Sequence, residues 1–136
     1  MTAPTVRGLW HLALRVKDLK RSRAFYEELF GMKAVWEPDA DNLYLSSGRD
    51  NLALNQIPAA DLAQYESARG QRLDHLGFVV DSPASVDRLF ARIEQAGVPI
   101  VHRPKQHRDG SYSFYAADPD GNTVQILYEP TISKAG

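Results

Sequence analysis

The chain has 136 residues, of which 43% are hydrophobic and 24% charged, a balance that predicts one globular domain over residues 1–136. Its formal net charge of −1 leaves no excess of positive charge to attract nucleic acid or an anionic membrane, so we expect neither as a partner. The sequence contains no cysteine, which excludes disulfide bonds, thiolate metal ligands and a cysteine nucleophile.

The N-terminal residues, MTAPTVRG, lack the basic and then apolar layout of a signal peptide. No stretch of the sequence approaches the ~20 consecutive apolar residues of a membrane span. We therefore expect a cytoplasmic protein.

The first half of the chain, residues 8–57, predicts one strand, one helix and three further strands. His11–Val16 alternates in polarity and places His11, Ala13 and Arg15 on one strand face. Helical spacing follows over residues 22–32, with Ser22 as the expected N-cap and Gly31 as the C-terminal stop. The three later strands are expected at residues 34–38, 42–48 and 51–57.

The second half, residues 73–130, predicts the same order of elements. A strand over residues 75–80 precedes a helix over residues 82–97, which has Ser82 at its cap and Pro83 at its first position. Three strands are then expected at residues 98–104, 110–118 and 122–129. Residues 58–72 form the linker between the halves, and a short helix is expected at residues 61–68.

The two halves also share a sequence motif. LWHLALRVKDL starts at Leu9 and LDHLGFVVDSP starts at Leu73, and each places a histidine, His11 or His75, before an alternating apolar run. A half of this size has one sheet face to bury and too little chain to cover it alone. The repeat therefore predicts an α+β fold of two βαβββ modules, in which the first and last strands of a module lie together.

Aromatic side chains supply much of the expected packing surface. We expect the core beneath the helices to contain Phe25, Phe30, Leu89 and Phe90, while Trp10 and Trp36 belong to the core or to an interface. Tyr115 and Tyr128 are candidate donors to a substrate oxygen. Strand parity decides which aromatic side chains of the last two strands face a ligand, and the sequence leaves that parity open.

Three segments, HLALRVKDLKRSRAFYEELFGM, DHLGFVV and FYAADPDGNTVQILYEP, resemble the vicinal oxygen chelate superfamily over residues 11–130. That superfamily includes glyoxalase I, extradiol dioxygenases, fosfomycin-resistance enzymes and bleomycin-resistance proteins. The resemblance implies a cup-shaped mixed sheet of paired βαβββ modules and a homodimer. Whether one cup draws its residues from one chain or from two chains of a swapped dimer stays open.

The resemblance also implies a site for a divalent metal ion, namely Fe, Mn, Ni or Zn. Metal-using members take their ligands from the first and last strands of each module, and these positions correspond to His11, His75 and Gln125. The matching last-strand position of the first module corresponds to Leu54. Gln125 replaces the glutamate of the extradiol pattern, so it offers a carbonyl oxygen without a charge and should bind the ion more weakly. Glu129 shares its strand face but lies about 13 Å along the strand, too far to replace it.

The implied function is a metal-assisted, dioxygenase-like reaction on a substrate that chelates through neighbouring oxygens. Lactoylglutathione lyase activity is disfavoured because neither last-strand position carries a carboxylate, and the fosfomycin-resistance subfamily is disfavoured because Gln125 replaces its glutamate. The alternative is a metal-free binding protein of the bleomycin-resistance type, in which the same three residues hydrogen-bond a ligand.

A basic segment, HRPKQHR at residues 102–108, precedes the penultimate strand. It is either a solvated loop or the edge of a site for an anionic substrate. In the second interpretation the substrate-binding residues are Arg103, Lys105 and His107.

Overall fold

The computed structural model describes residues 8–67 and 73–133. The chain divides into two compact units, Met1–Leu62 and Ala63–Gly136, and the division falls inside the predicted linker. The predicted module boundaries, 8–57 and 73–130, stay predictions. No helix within the described ranges is both long and apolar enough to cross a membrane.

The first unit contains one helix and a four-stranded sheet. Its elements are β1 (His11–Val16), α1 (Leu19–Phe30), β2 (Lys33–Asp39), β3 (Asn42–Ser46) and β4 (Asn51–Gln56). The strand order is β1-β4-β3-β2. β1 pairs with β4 in parallel, and the other pairs are antiparallel. The first and last strands of the unit therefore lie side by side, as the repeat predicts.

The second unit repeats this arrangement. A 3₁₀ turn at Ala59–Asp61 precedes α2 (Leu62–Ser67), the helix at whose start the two units divide. The elements that follow are β5 (Leu76–Val79), α3 (Pro83–Gln95), β6 (Ile100–Gln106), β7 (Tyr112–Ala117), β8 (Thr123–Tyr128) and α4 (Pro130–Ser133). The strand order is β5-β8-β7-β6, and β5 pairs with β8 in parallel. The predicted α+β class with two βαβββ modules is confirmed. Helix α4 was not predicted, because four residues carry too little periodicity to read.

Each unit buries one face of its sheet beneath its long helix. The fully or almost fully buried side chains of the first sheet include Leu14, Val16, Leu43, Leu45, Leu52 and Leu54. The fully buried hydrophobic side chains of the second sheet include Phe114, Ala116, Val124 and Ile126, and α3 adds Val86 and Ile93. The predicted core residue Phe25 is buried, whereas Phe30, Leu89 and Phe90 are only half-buried. Tyr26, which the prediction omitted, is fully buried.

The two tryptophans do not belong to the core. Trp10 is 44% exposed and Trp36 is 52% exposed, so the core half of that prediction is wrong. Trp36 lies on β2, an edge strand whose pairing with β3 shifts register on both sides of this residue. An irregular edge strand offers a large side chain little sheet to pack against.

Helix α1 begins before the predicted residue, because its N-cap is Asp18 and not Ser22. Asp18 accepts a hydrogen bond from the backbone N–H of Arg21 at 3.2 Å. Ser22 lies in the first turn, fully buried, at a position where a small side chain fits against the sheet. Both residue types cap helices, and the hydrogen bond that Asp18 accepts identifies it as the cap. At α3 the predicted cap, Ser82, is confirmed by the bond from the backbone N–H of Ser85.

The N-cap of α1 gives a first testable prediction. Asp18→Ala should lower the free energy of unfolding by about 1 kcal/mol, because it removes the acceptor for a free backbone N–H group. Asp18→Asn keeps the capping oxygen and should change stability much less. Urea denaturation followed by circular dichroism measures both variants. Equal losses in the two variants would show that the charge of Asp18, and not its capping bond, stabilises α1.

Candidate functional site

Strand parity divides the second sheet into a helix-facing side and an open side. Phe114 and Val124 are fully buried on the side that α3 covers. Tyr115 and Gln125 alternate with them and pair directly across β7 and β8. These two polar side chains therefore lie next to each other on the open side of the sheet.

The open side of the second unit contains two adjoining clefts. One, of about 550 Å³, is lined by Asp74, His75, Val101, His102, Arg103, Lys105, His107, Ser113, Tyr115 and Thr123. The other, of about 690 Å³, shares Lys105, His107 and Tyr115 with the first and adds Gln125 and Glu129. The structure thus brings together the predicted residues His75, Arg103, Lys105, His107, Tyr115 and Gln125. Tyr128 lies on the same face of β8 as the buried residues Val124 and Ile126, and it lines neither of these two clefts.

The ring of His75 has a carboxylate partner at one of its two nitrogens. Its Nδ1 lies 2.6 Å from Oδ2 of Asp74, an acceptor, so Nδ1 carries a proton. In the neutral imidazole, Nε2 then keeps its lone pair for a ligand or metal ion. A carboxylate on the far nitrogen is also the usual support of a metal-binding histidine.

His11 shows the same arrangement within the first unit. Its Nδ1 lies 2.8 Å from Oδ1 of Asn51, and an amide oxygen only accepts hydrogen bonds. Nδ1 is therefore the protonated nitrogen, and Nε2 of the neutral ring is free. Two histidines at repeat-equivalent strand starts thus have the same nitrogen available.

Each unit also carries a set of three neighbouring rings on its open side. The Tyr115 ring lies 5.5 Å from His75 and 5.5 Å from His102, in edge-on contacts. The equivalent set is formed by Tyr44, 5.8 Å from His11 and 4.8 Å from Trp36. The sequence predicts no role for His102, whose place in the basic segment is the one signal it offers.

The sheet register corrects one correspondence of the sequence analysis. Gln125 pairs with Gly77, which lies two residues after His75. The equivalent position in the first unit, two residues after His11, is Ala13, and Ala13 pairs with Ala53. Ala53, and not Leu54, is therefore the counterpart of Gln125, while Leu54 is fully buried. Neither residue has a carboxylate, so the expected absence of an acidic ligand at this position is unchanged.

Gln125 is the centre of a hydrogen-bond network and is only 9% exposed. Its Nε2 donates to Oγ of Ser113 and to the hydroxyl of Tyr115, both at 3.0 Å. In the part of the chain that the structure describes, no group donates to its Oε1. This oxygen lies beside Gly77, where an added Cβ would come within 3.6 Å of it. That distance is an ordinary van der Waals contact, so an alanine side chain at position 77 would also fit beside the glutamine oxygen.

The charged side chains of the clefts differ in availability. Arg103 pairs with Glu94 of α3 at 3.2 Å and lies over the ring of Phe90 at 4.8 Å. Lys105 is exposed and lines both clefts. Lys105 is therefore the predicted cation best placed to meet an anion in either cleft.

Asp109 is a negatively charged residue at the second cleft. Two hydrogen bonds, first from the hydroxyl of Ser111 and then from its backbone N–H, hold the pKa of Asp109 below its ordinary value.

Within residues 8–67 and 73–133, no cluster of three or more histidine, cysteine, aspartate or glutamate side chains has the geometry of a metal site. Among these residues, a three-ligand set would include another type of ligand, such as the amide oxygen of Gln125.

Comparisons with known proteins give a family match and similar enzymes. The model of the Glyoxalase/Bleomycin resistance protein/Dioxygenase superfamily matches residues 8–126. A glutathione transferase, FosA, of Serratia marcescens is 34% identical, over 89% of this chain and 80% of its own length. A metallothiol transferase, FosB, of Lysinibacillus sphaericus is 31% identical, over 90% and 82%.

A similar fold is found in the crystal structure of a lactoylglutathione lyase from Agrobacterium tumefaciens. The TM-score is 0.74 at 25% identity, with 95% of this chain and 98% of that chain covered. This likeness confirms the expected fold class.

Proposed function

Because this chain belongs to the Glyoxalase/Bleomycin resistance protein/Dioxygenase superfamily, we propose that it is an enzyme that uses a divalent metal ion to transform a small molecule. His75 and Gln125 are the proposed ligands in the second unit. The observation that carries the proposal is the bond between Nδ1 of His75 and Asp74, since in the neutral ring Nε2 then keeps its lone pair. The same unit contains Oε1 of Gln125, to which no group in the described part of the chain donates. His11, with its own Nδ1 bound to Asn51, stays the third predicted ligand.

The donor set fits a borderline divalent ion such as Fe, Mn, Ni or Zn. Imidazole nitrogen suits these ions, and an amide oxygen is an acceptable neutral ligand. When bound, the ion supplies Lewis-acid polarisation of a chelating substrate oxygen. Since no ligand in this set is charged, the site keeps the full positive charge of the ion and favours an anionic, oxygen-chelating substrate.

The chain's own residues support binding of such a substrate. Lys105 brings a positive charge to both clefts, and His107 lines them as well. Arg103 contributes less, because its guanidinium is already paired with Glu94. Tyr115 offers its hydroxyl proton to a substrate oxygen. Gln125 cannot act as a base, which disfavours any isomerisation that needs a carboxylate at this position.

Two reaction types fall within the proposal. The extradiol-like layout of the ligand positions favours a dioxygenase-like reaction, while the relatives named as glutathione and metallothiol transferases favour transfer of a thiol. Oxygen uptake and thiol consumption, measured with the same panel of anionic substrates, separate these two reactions. Members of the superfamily commonly form dimers, and we propose a homodimer here.

A metal-free binding protein is the second candidate function. It is favoured by the uncharged Gln125 and by the absence, among the described residues, of a cluster of three conventional metal ligands. In this case His75, Tyr115 and Gln125 act as hydrogen-bonding groups of a binding cleft, and the protein sequesters its ligand unchanged.

Metal content decides between the two candidates. Mass spectrometry on untagged protein should find near-stoichiometric metal in the wild type, and His75→Ala and His11→Ala should each lose it. His102→Ala is the matched control, since it removes an imidazole from the same cleft without removing a proposed ligand. Wild-type protein that stays free of metal after reconstitution with each of the four ions would support the binding protein instead.

A further inference from the structure

The amide group of Gln125 uses both of its protons inside the protein. Nε2 carries two N–H groups, and its two acceptors are the Ser113 and Tyr115 hydroxyl oxygens, each at 3.0 Å. The amide nitrogen therefore faces β7, and the carbonyl oxygen is the part of the side chain left for a ligand.

The hydroxyl of Ser113 connects Gln125 to His107 through two hydrogen bonds. Ser113 is only 1% exposed, and its hydroxyl has a single proton to donate. The hydroxyl accepts from Gln125, and its other neighbour is Nε2 of His107, at 3.1 Å. A hydroxyl oxygen can accept two hydrogen bonds, but among the described residues its buried proton has a partner only if Nε2 of His107 accepts it. This direction places the proton of the neutral His107 ring on Nδ1.

Tyr115 is the other branch of the network. Its hydroxyl oxygen also accepts from Gln125, and within the described residues no group accepts the Tyr115 proton. The ring is fixed between His75 and His102 in edge-on contacts. The proton of Tyr115 is thereby left to donate into the clefts that this residue lines.

We propose that His107 and Ser113 are positioning residues that hold the carbonyl oxygen of Gln125 outward, and that Gln125 in turn frees the Tyr115 proton for a ligand. A carboxylate at this position would accept from both hydroxyls and reverse every bond of the network. The glutamine thus changes the direction of hydrogen bonding as well as the charge. The use of the outward oxygen rests on the proposed function, whereas the bond directions hold without a metal ion.

The protonated nitrogen of His107 reports the direction of the network. We expect ¹⁵N–¹H correlation spectra of metal-free, ¹⁵N-histidine-labelled protein to show the Nδ1–H form of His107. Spectra are recorded at about pH 8, above the ordinary titration range of histidine. In Gln125→Glu, Ser113 donates to the new carboxylate and accepts from His107, so His107 should change to the Nε2–H form. Its ring has no hydrogen bond to residue 125 that would cause this change directly.

Two control variants test whether the substitution at position 125 affects His107 through Ser113. Ser113→Ala removes the link, so His107 should give the same spectrum with glutamine or glutamate at position 125. Tyr115→Phe removes only the other branch and should leave His107 in the Nδ1–H form. A wild-type spectrum with the proton on Nε2 overturns the proposal even if Gln125→Glu does not fold. Since the protein is free of metal, this result is independent of the metal-content measurement.

Discussion

Replacing Gln125 by glutamate is expected to tighten divalent metal binding by at least about tenfold, which corresponds to about 1.4 kcal/mol. The substitution adds a negative charge directly at the proposed ligand atom without changing the length of the side chain. The hydroxyls of Ser113 and Tyr115, both 3.0 Å from the present amide nitrogen, would then donate to the carboxylate and stabilise its charged form. Competition titrations of Co²⁺ against a chelator measure the affinity of both proteins.

The same substitution is expected to weaken binding of an anionic ligand. Glutamate adds a like charge to the site, and it also takes up the Tyr115 proton that the glutamine leaves free. Isothermal titration of metal-loaded protein with a small dicarboxylate probe measures this loss. Tighter metal binding together with weaker anion binding is the combined result that distinguishes a ligand at position 125 from a distant charge.

Thr123→Glu is the matched control for charge alone. Thr123 lines the same cleft as His75 and lies two residues before Gln125 on β8, about 7 Å away on the same face. A carboxylate there should change metal affinity far less than one at position 125. Equal effects of the two variants, or no effect of Gln125→Glu, would mean that Gln125 is not a metal ligand, and the metal-free binding protein would become the better proposal.

The sequence was sufficient to predict the repeat and the pairing of first and last strands, because both follow from short motifs. His11 and His75 mark the strand starts, and Ser82 and Gly31 mark helix ends through local chemistry that does not depend on the partner elements. These features are encoded within a few residues, so they can be read without knowledge of the register.

The pairing register of the strands could not be predicted from the sequence, as Leu54 illustrates. In β4 the consecutive residues Leu52, Ala53 and Leu54 are all apolar and all buried, at 4%, 2% and 0% exposure. Without alternation the sequence does not reveal which of them shares the parity of Gln125, and a slip of one residue exchanges the two faces.

The role of His102 was hidden for a related reason. Its contact with Tyr115 depends on the pairing of β6 with β7, which shifts register on both sides of His102. An irregular pairing changes the face on which each later side chain lies, so the segment HRPKQHR could not be divided by parity into cleft and solvent residues. Arg103 lies between His102 and Lys105, where one of these shifts falls. It pairs with Glu94 of α3 and lines one cleft, whereas Lys105 lines both clefts.

Phe114 and Tyr115 are adjacent on β7, and truncating them should have opposite consequences. Phe114 is fully buried and packs edge-on against Phe90 of α3 at 5.3 Å between ring centroids. Phe114→Ala should therefore lower the free energy of unfolding by about 3–5 kcal/mol, because it leaves a cavity between sheet and helix. Urea denaturation followed by circular dichroism measures this loss.

Tyr115→Phe keeps the ring and removes only the hydroxyl, so its stability should stay within about 1.5 kcal/mol of the wild type, the cost of one hydrogen bond. Its affinity for the dicarboxylate probe should fall, while Phe114→Ala, in conditions where it remains folded, should bind the probe nearly as the wild type does. A large stability loss in Tyr115→Phe with unchanged probe binding would place Tyr115 among the core residues. A stability loss confined to Phe114→Ala and a loss of probe binding confined to Tyr115→Phe would instead show that one face of β7 stabilises the fold and the other face binds the ligand.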